Sequence, residues 1–336
     1  MSHGYRYVAD GQGGLIPAIL QYFPGVPIFF FASGFMIAAS YDRSVNLNSF
    51  LLKRALRIFP ALWVCVLGTI ALVFAVGYLQ TTDVTVPRLL TWIAAQSSIL
   101  QFYNPEFARH FGAGIINPAL WTISVELQFY IVMPIIAWLY IHQRRLFYTA
   151  LGALIVISMV YNQYLDQFFG QNVLVKLLGV SFLPWVSMFA IGNIAYYLWD
   201  EIRPLIEGKS AFWFAAYLVA ALVVGWVEQS TTLSLSGNHL FFPLYLVLSG
   251  LVLSLAYTKV KLPNVTRGVD ISYGVYIWHM PVIGTWLYLG LPSKAWSVFV
   301  CVLIAVVLAV ISWHSIEKHA LRLKPKSKSK PAHAIA

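Results

Sequence analysis

Long apolar runs separated by short polar breaks make up most of the chain. A helix needs roughly 20 apolar residues to cross the hydrocarbon core of a bilayer. Nine runs approach that length, at about 26–40, 58–79, 119–141, 146–161, 173–198, 211–227, 240–257, 271–289 and 296–315, the first and fourth being short. The run 89–102 is weaker, because Gln96, Ser97, Ser98 and Gln101 interrupt it, and it reads as a helix on the outer surface. The pattern predicts an all-α fold, a polytopic transmembrane helix bundle of about nine spans. Residues 1–323 form one membrane domain, and 324–336, rich in Lys, Ser and Pro, form a basic disordered tail.

Composition agrees. The 336 residues are 60% hydrophobic and 10% charged, against about 45–50% and about 25% in a soluble domain. There are too few charges to cover a water-exposed surface, which excludes soluble, fibrous and disordered classes for most of the chain. Cys65 and Cys301 both lie inside apolar runs and read as small buried hydrophobes, with no disulfide or metal implied.

The net charge of +10 would suggest nucleic acid in a soluble protein. Here its distribution carries the information. One alternate set of breaks holds 17 of the 22 Lys and Arg, including Arg43, Lys53, Arg54, Arg57, Arg203 and the tail, while the other set holds four. Basic loops stay in the cytoplasm, so the C-terminus is expected inside, with no nucleic-acid partner. Nine spans then put the N-terminus outside. Residues 1–21 show neither an apolar signal sequence nor a basic leader. The simpler expectation is one further helix before Met1, giving ten spans with both ends inside.

Ionisable groups within spans are costly and mark function by default. Glu126 is the clearest, about 10 Å along the third span at 1.5 Å per residue. Asn117, Trp121, Ser124 and Gln128 share one face of that span, and Thr122, Glu126 and Tyr130 an adjacent one. Two polar rows need protein or a wet cavity beside them: the wall of a site or path, or hydrogen-bonded glue between helices. His279 lies mid-way along the eighth span, on a face with Ser272 and Tyr276. Pro281 frees the backbone carbonyl near Ile277. Arg54 and Arg57, three residues apart, can grip phosphate or anchor the inner membrane face. His314 and Glu317 are also three apart and could pair with each other or with such an arginine.

Several fragments together resemble the acyltransferase family 3 membrane proteins. They are Gly25-Val26-Pro27 with Phe29-Phe30-Phe31 and Gly34; Arg54-Ala55-Leu56-Arg57 with Pro60; Trp121-Thr122-Ile123-Ser124-Val125-Glu126 with Phe129, Tyr130 and Pro134; Ser272-Tyr273-Gly274 with Trp278, His279 and Pro281; and Ser312-Trp313-His314-Ser315-Ile316-Glu317. Five weak pieces in the family's order make a specific signal. The family carries a catalytic His about twenty residues before the Gly25 motif, and His3 stands 22 residues before Gly25. The Arg that precedes that His in the family has no counterpart, in keeping with a first helix before Met1. Gly-Val-Pro at 25–27 replaces the family's Gly-Val-Asp.

The resemblance implies an O-acyltransferase moving an acyl group, expected to be acetyl, from acyl-CoA to a hydroxyl of an envelope glycan at the cell membrane. Acyl-CoA is then a substrate, with no bound cofactor and no metal. His3 and Glu126 are its candidate catalytic residues, and Arg54 and Arg57 bind the donor's phosphates. Trp121, Ser124, Tyr130, Ser272, Tyr273, His279 and Glu317 line the substrate or channel. A glycan or lipid transporter would equally explain Glu126 and His279 within spans. It does not explain Arg54, Arg57 and His3 as a set, and the two halves show no self-similarity of the kind transporters carry.

Overall fold

The computed structural model describes residues 22–169, 178–227, 241–258 and 269–325. Among these the regular structure is helical: α1 Gly25–Asp42, α2 Leu47–Ala75, α3 Val86–Gln96, α4 Trp121–His142, α5 Arg144–Phe169, α6 Val186–Tyr197, α7 Trp199–Ile206, α8 Ser210–Val227, α9 Phe241–Tyr257, α10 Ser272–Tyr288, α11 Ala295–Ser312 and α12 Lys318–Arg322. A π-helical turn, Trp313–Glu317, joins α11 to α12.

Among the described residues, six stretches are long and apolar enough to cross a membrane: Gly25–Asp42, Leu47–Ala75, Pro118–His142, Arg144–Tyr164, Ser210–Val227 and Ala295–Arg322. The other three predicted spans carry shorter helices, of 12 residues in α6 and 17 each in α9 and α10. Large apolar side chains stand on the outside of these helices. Trp226 is 82% exposed, Ile131 64% and Leu303 62%. Hydrocarbon is the solvent in which such a surface is stable, so the protein is a multi-pass membrane protein.

The chain forms two compact units. The first contains 51–124 and 264–325. Here α10 packs on α11 through Gly274, where a methyl group would lie 2.9 Å from the Ala309 side chain. A methyl on Gly68 of α2 would overlap the Trp278 ring. Small residues let helix backbones approach closely. Proline at 281 has no N–H to give the carbonyl four residues back. That carbonyl, Ile277 O, instead accepts from Asn117 Nδ2 at 3.0 Å and the Cys65 thiol at 3.3 Å. Val73, Tyr78, Trp92, Ala108, Phe111 and Ile116 form a buried apolar cluster in this unit. The Tyr78 hydroxyl donates to the Phe107 carbonyl at 2.7 Å and the Trp92 indole to Asn104 Oδ1 at 3.1 Å.

The second unit contains 21–50 and 125–263. Its α1 and α6 touch backbone to backbone, because a methyl on Gly34 would overlap the Phe189 carbonyl and one on Gly192 the Phe31 carbonyl. The Phe129 ring stacks on Phe189 at 3.9 Å, with Phe30 edge-on at 5.6 Å. Gln128 bridges to the strand-free segment before α6, donating to the Val180 carbonyl at 3.1 Å and accepting from the Phe182 N–H at 2.9 Å.

Two of the helix boundaries that differ from the sequence reading have a local side-chain cause. The outer helix runs Val86–Gln96 and not 89–102. Its end is set by Gln96, whose side chain turns onward to the Gln101 and Tyr103 carbonyls. The second span starts eleven residues earlier than its apolar run, at Leu47, because the Asn46 side chain accepts the Ser49 N–H at 2.9 Å and caps the helix.

Candidate functional site

Capping by Asn46 has a consequence for charge: Lys53, Arg54 and Arg57 lie on a continuous helix and not in a loop. Lys53 is buried. Arg57 lies three residues before Pro60, at the charged end of α2. Its Nη2 meets Asp270 Oδ2 at 2.5 Å. The other carboxylate oxygen of Asp270 accepts the Ser272 hydroxyl at 2.6 Å and the Ser272 N–H at 3.3 Å. This is the pattern by which a short acidic side chain starts a helix, and here it fixes the beginning of α10. Burial pushes the Asp270 carboxyl up, but the Ser272 hydroxyl and the Arg57 guanidinium outweigh it and hold the group below the ordinary carboxylate value.

Glu317 reaches the same electrostatic neighbourhood from the π-helical turn. It is buried, and its Oε1 accepts the Ser312 hydroxyl at 2.8 Å. Its Oε2 has no hydrogen-bond partner among the described residues. Glu317 and His314 do not pair: Glu317 faces inward, while His314 faces outward and bonds the Val310 carbonyl at 2.9 Å. Lys324 completes the cluster. Partial desolvation and the positive charges of Arg54, Arg57 and Lys53 hold its ammonium below the usual lysine value. Four cations thus gather about two carboxylates, a surplus that favours a polyanion.

Within the same unit, Tyr273 donates its hydroxyl to the Ile58 carbonyl at 3.3 Å. Tyr276 and Thr122 hydroxyls lie 2.6 Å apart, and both reach the Ala119 carbonyl. His279 Nδ1 bonds the Tyr276 carbonyl of its own helix. Ser124 is buried, 2.7 Å from the Ile99 carbonyl and against the Gln101 amide. It ties α4 to the loop after α3. Trp121, half-buried, opens α4. In the second unit Tyr130 donates its hydroxyl to Glu126 Oε1 at 2.5 Å, and its ring meets Phe50 edge-on.

Of the expected residues, Arg57 and Ser272 thus meet on Asp270, with Glu317 in electrostatic range of Arg57 and Arg54 in that of Lys324. Glu126 and Tyr130 form a separate pair. His3 lies outside the described residues. Asp270 was missed by the sequence reading, although an Asp two residues before a Ser at a helix start is a recognisable signal. Among the described residues no group of three His, Cys, Asp or Glu could hold a metal ion.

A family model described as an acyltransferase domain matches residues 1–314. The chain belongs to this acyltransferase family. It is 32% identical over 345 residues to Nodulation protein 10 of Rhizobium leguminosarum bv. viciae, an alignment covering 96% of this chain and 89% of that protein. It is 28% identical to an O-acetyl transferase of Shigella phage Sf6, covering 96% and 89%. To the O-acetyltransferase OatA of Staphylococcus aureus it is 23% identical, covering 93% of this chain and 56% of that longer protein. No solved structure matches. The acyltransferase is thus a membrane O-acyltransferase, as the sequence motifs imply.

Proposed function

We propose that this enzyme transfers an acyl group, acetyl in the first instance, from acyl-CoA in the cytoplasm to a hydroxyl of an envelope glycan at the cell membrane. The observation that carries the reading is the cation surplus of Lys53, Arg54, Arg57 and Lys324 around Asp270 and Glu317. CoA is a polyanion, and arginine forks suit its phosphates. The Lys and Arg bias of the loops supports placing this cluster and the C-terminus inside, where CoA is found.

His3 is the proposed general base, taking the proton of the acceptor hydroxyl as its oxygen attacks the thioester carbonyl. The tetrahedral intermediate then expels the CoA thiolate, which takes up a proton. A short-lived acyl-imidazole on His3 is the stepwise variant of the same chemistry. Glu126 orients the acceptor or a histidine, with Tyr130 holding the carboxylate by its 2.5 Å bond. Trp121 and Tyr130 offer flat faces to a sugar ring or acyl chain. Ser124, Ser272, Tyr273, His279 and Glu317 belong to the path between donor and acceptor. The relatives' names support the acyl group, since two of the three are called O-acetyl transferases.

The test is radiolabelled acetyl-CoA added to membranes containing the full chain. Label should enter glycan only when both the enzyme and an acceptor are present. Arg54→Ala with Arg57→Ala should raise the donor KM by about tenfold or more, the cost of one to two charge-assisted contacts. An unchanged KM would return both arginines to the role of membrane anchors.

A further inference from the structure

A second basic feature lies at the C-terminal end of the first unit. The π-helical turn Trp313–Glu317 widens the helix between α11 and α12, and such turns recur at functional sites. His314, Lys318 and Arg322 follow at four-residue intervals. All three line a cleft of about 430 Å³ completed by Val269, Trp313 and Leu321. That is within the usual size of small-molecule sites, about 300–1,000 Å³. Its lining shares no residue with the Arg54 and Arg57 cluster.

The groups are set for an anion. His314 Nδ1 lies 2.9 Å from the Val310 carbonyl. A carbonyl only accepts, so Nδ1 carries the hydrogen; Nε2 donates to an anion only when the ring holds both protons, and the standing charges for the anion are those of Lys318 and Arg322. None of the six lining residues bears a carboxylate. Among the described residues, neither Lys318 nor Arg322 has an ion-pair partner. Like charges at four-residue spacing repel along a helix, so a counter-ion in the cleft stabilises the row. The Arg322 fork matches two phosphate oxygens and Lys318 supplies a compact charge. Val269, Trp313 and Leu321 give the cleft an apolar wall beside the charges, as a phosphate borne on an apolar body requires.

We propose that this cleft binds a phosphate group, as a site distinct from the acyl-donor cluster. A phospholipid headgroup and soluble phosphate share that chemistry. The test compares the purified full chain with Lys318→Gln/Arg322→Gln, using native mass spectrometry with phosphatidylglycerol or phosphatidylcholine and thermal unfolding with inorganic phosphate. A loss in the variant of about tenfold in phosphatidylglycerol occupancy, with phosphatidylcholine unchanged, supports the site and names a lipid source. A phosphate-induced rise in Tm present in the wild type and absent in the variant supports it and names a soluble source. Lys318→Arg should behave as wild type in either case, which separates lost charge from misfolding. Equal behaviour of wild type and double variant with both probes overturns the proposal. So does a difference that vanishes in an Arg54→Gln/Arg57→Gln background, because it then belongs to the donor cluster.

Discussion

Arg57 and Asp270 meet at 2.5 Å across 213 residues of sequence. The contact joins the charged end of α2 to the start of α10, and the same carboxylate caps that start through Ser272. The two roles separate by substitution. Asp270→Asn keeps an oxygen for Ser272 and loses the ion pair. At an exposed carboxylate this costs about 0.5 kcal/mol. Asp270→Ala loses the helix start as well, for about 1 kcal/mol more. Thermal unfolding in detergent at pH 7 should rank wild type above Asn above Ala.

Acid titration gives a second outcome from the same residue. The folded carboxyl lies below its ordinary value. Its contribution to stability is therefore present above the unfolded value, about 3.9, and is lost as pH falls through the lower folded value. Wild type and Asp270→Asn should differ at neutral pH and converge as the carboxyl protonates. A difference that grows on acidification contradicts the pairing.

The Ile277 carbonyl gives a test of how the bundle tolerates proline. Asn117→Ala should cost about 1 kcal/mol, the scale of hydrogen bonds between helices in membranes. In a Pro281→Ala background the restored N–H can serve Ile277, and the cost of Asn117→Ala should shrink. A double-mutant cycle of unfolding midpoints measures the coupling. Additive effects would mean that Asn117 is not compensating for the proline.

Glu126 and Tyr130 form a separate expectation. Glu126→Gln should lower kcat by about tenfold to a hundredfold, as for a lost general or electrostatic group, while the donor KM holds. Tyr130→Phe should give a smaller loss of the same kind, because the ring and its contact with Phe50 remain. If both variants shift only Tm, the pair is helix glue.

Close approach of α1 and α6 makes Gly34 and Gly192 intolerant positions. Gly192→Ala would drive a methyl into the Phe31 carbonyl, and overpacking costs about 1–3 kcal/mol. Gly152, which has open space around it, should accept Ala with little change in unfolding midpoint.

Much of this fold is legible in the sequence, and the exceptions have physical causes. Apolar runs located α4, α8 and α11 because lipid exposure enforces continuous apolarity. The start of α2 was hidden because its first turns hold Lys53, Arg54 and Arg57, and only the Asn46 cap reveals them as helix. The run 89–102 ended early because Gln96 bonds to later carbonyls, a choice that hydropathy does not register. Within the site, Pro281 correctly indicated a freed carbonyl near Ile277. The partners Asn117 and Cys65 come from distant segments. Their pairing depends on how α2 and α10 pack, which local patterns do not encode. Asp270 escaped for the same reason: its Ser272 bond is local, but its Arg57 bond is not.

The proposed reaction is acyl transfer from a CoA thioester to a glycan hydroxyl, with His3 as the base. The most direct measurement follows CoA release from acetyl-CoA by the full chain reconstituted in lipid vesicles, with and without acceptor glycan, for wild type and His3→Ala. The account predicts release that requires acceptor, matches acetyl ester formed on the glycan, and falls by about a hundredfold or more in the variant. Full activity in His3→Ala would remove that residue from the mechanism. Acceptor moved across the bilayer with no CoA released would contradict the claim itself.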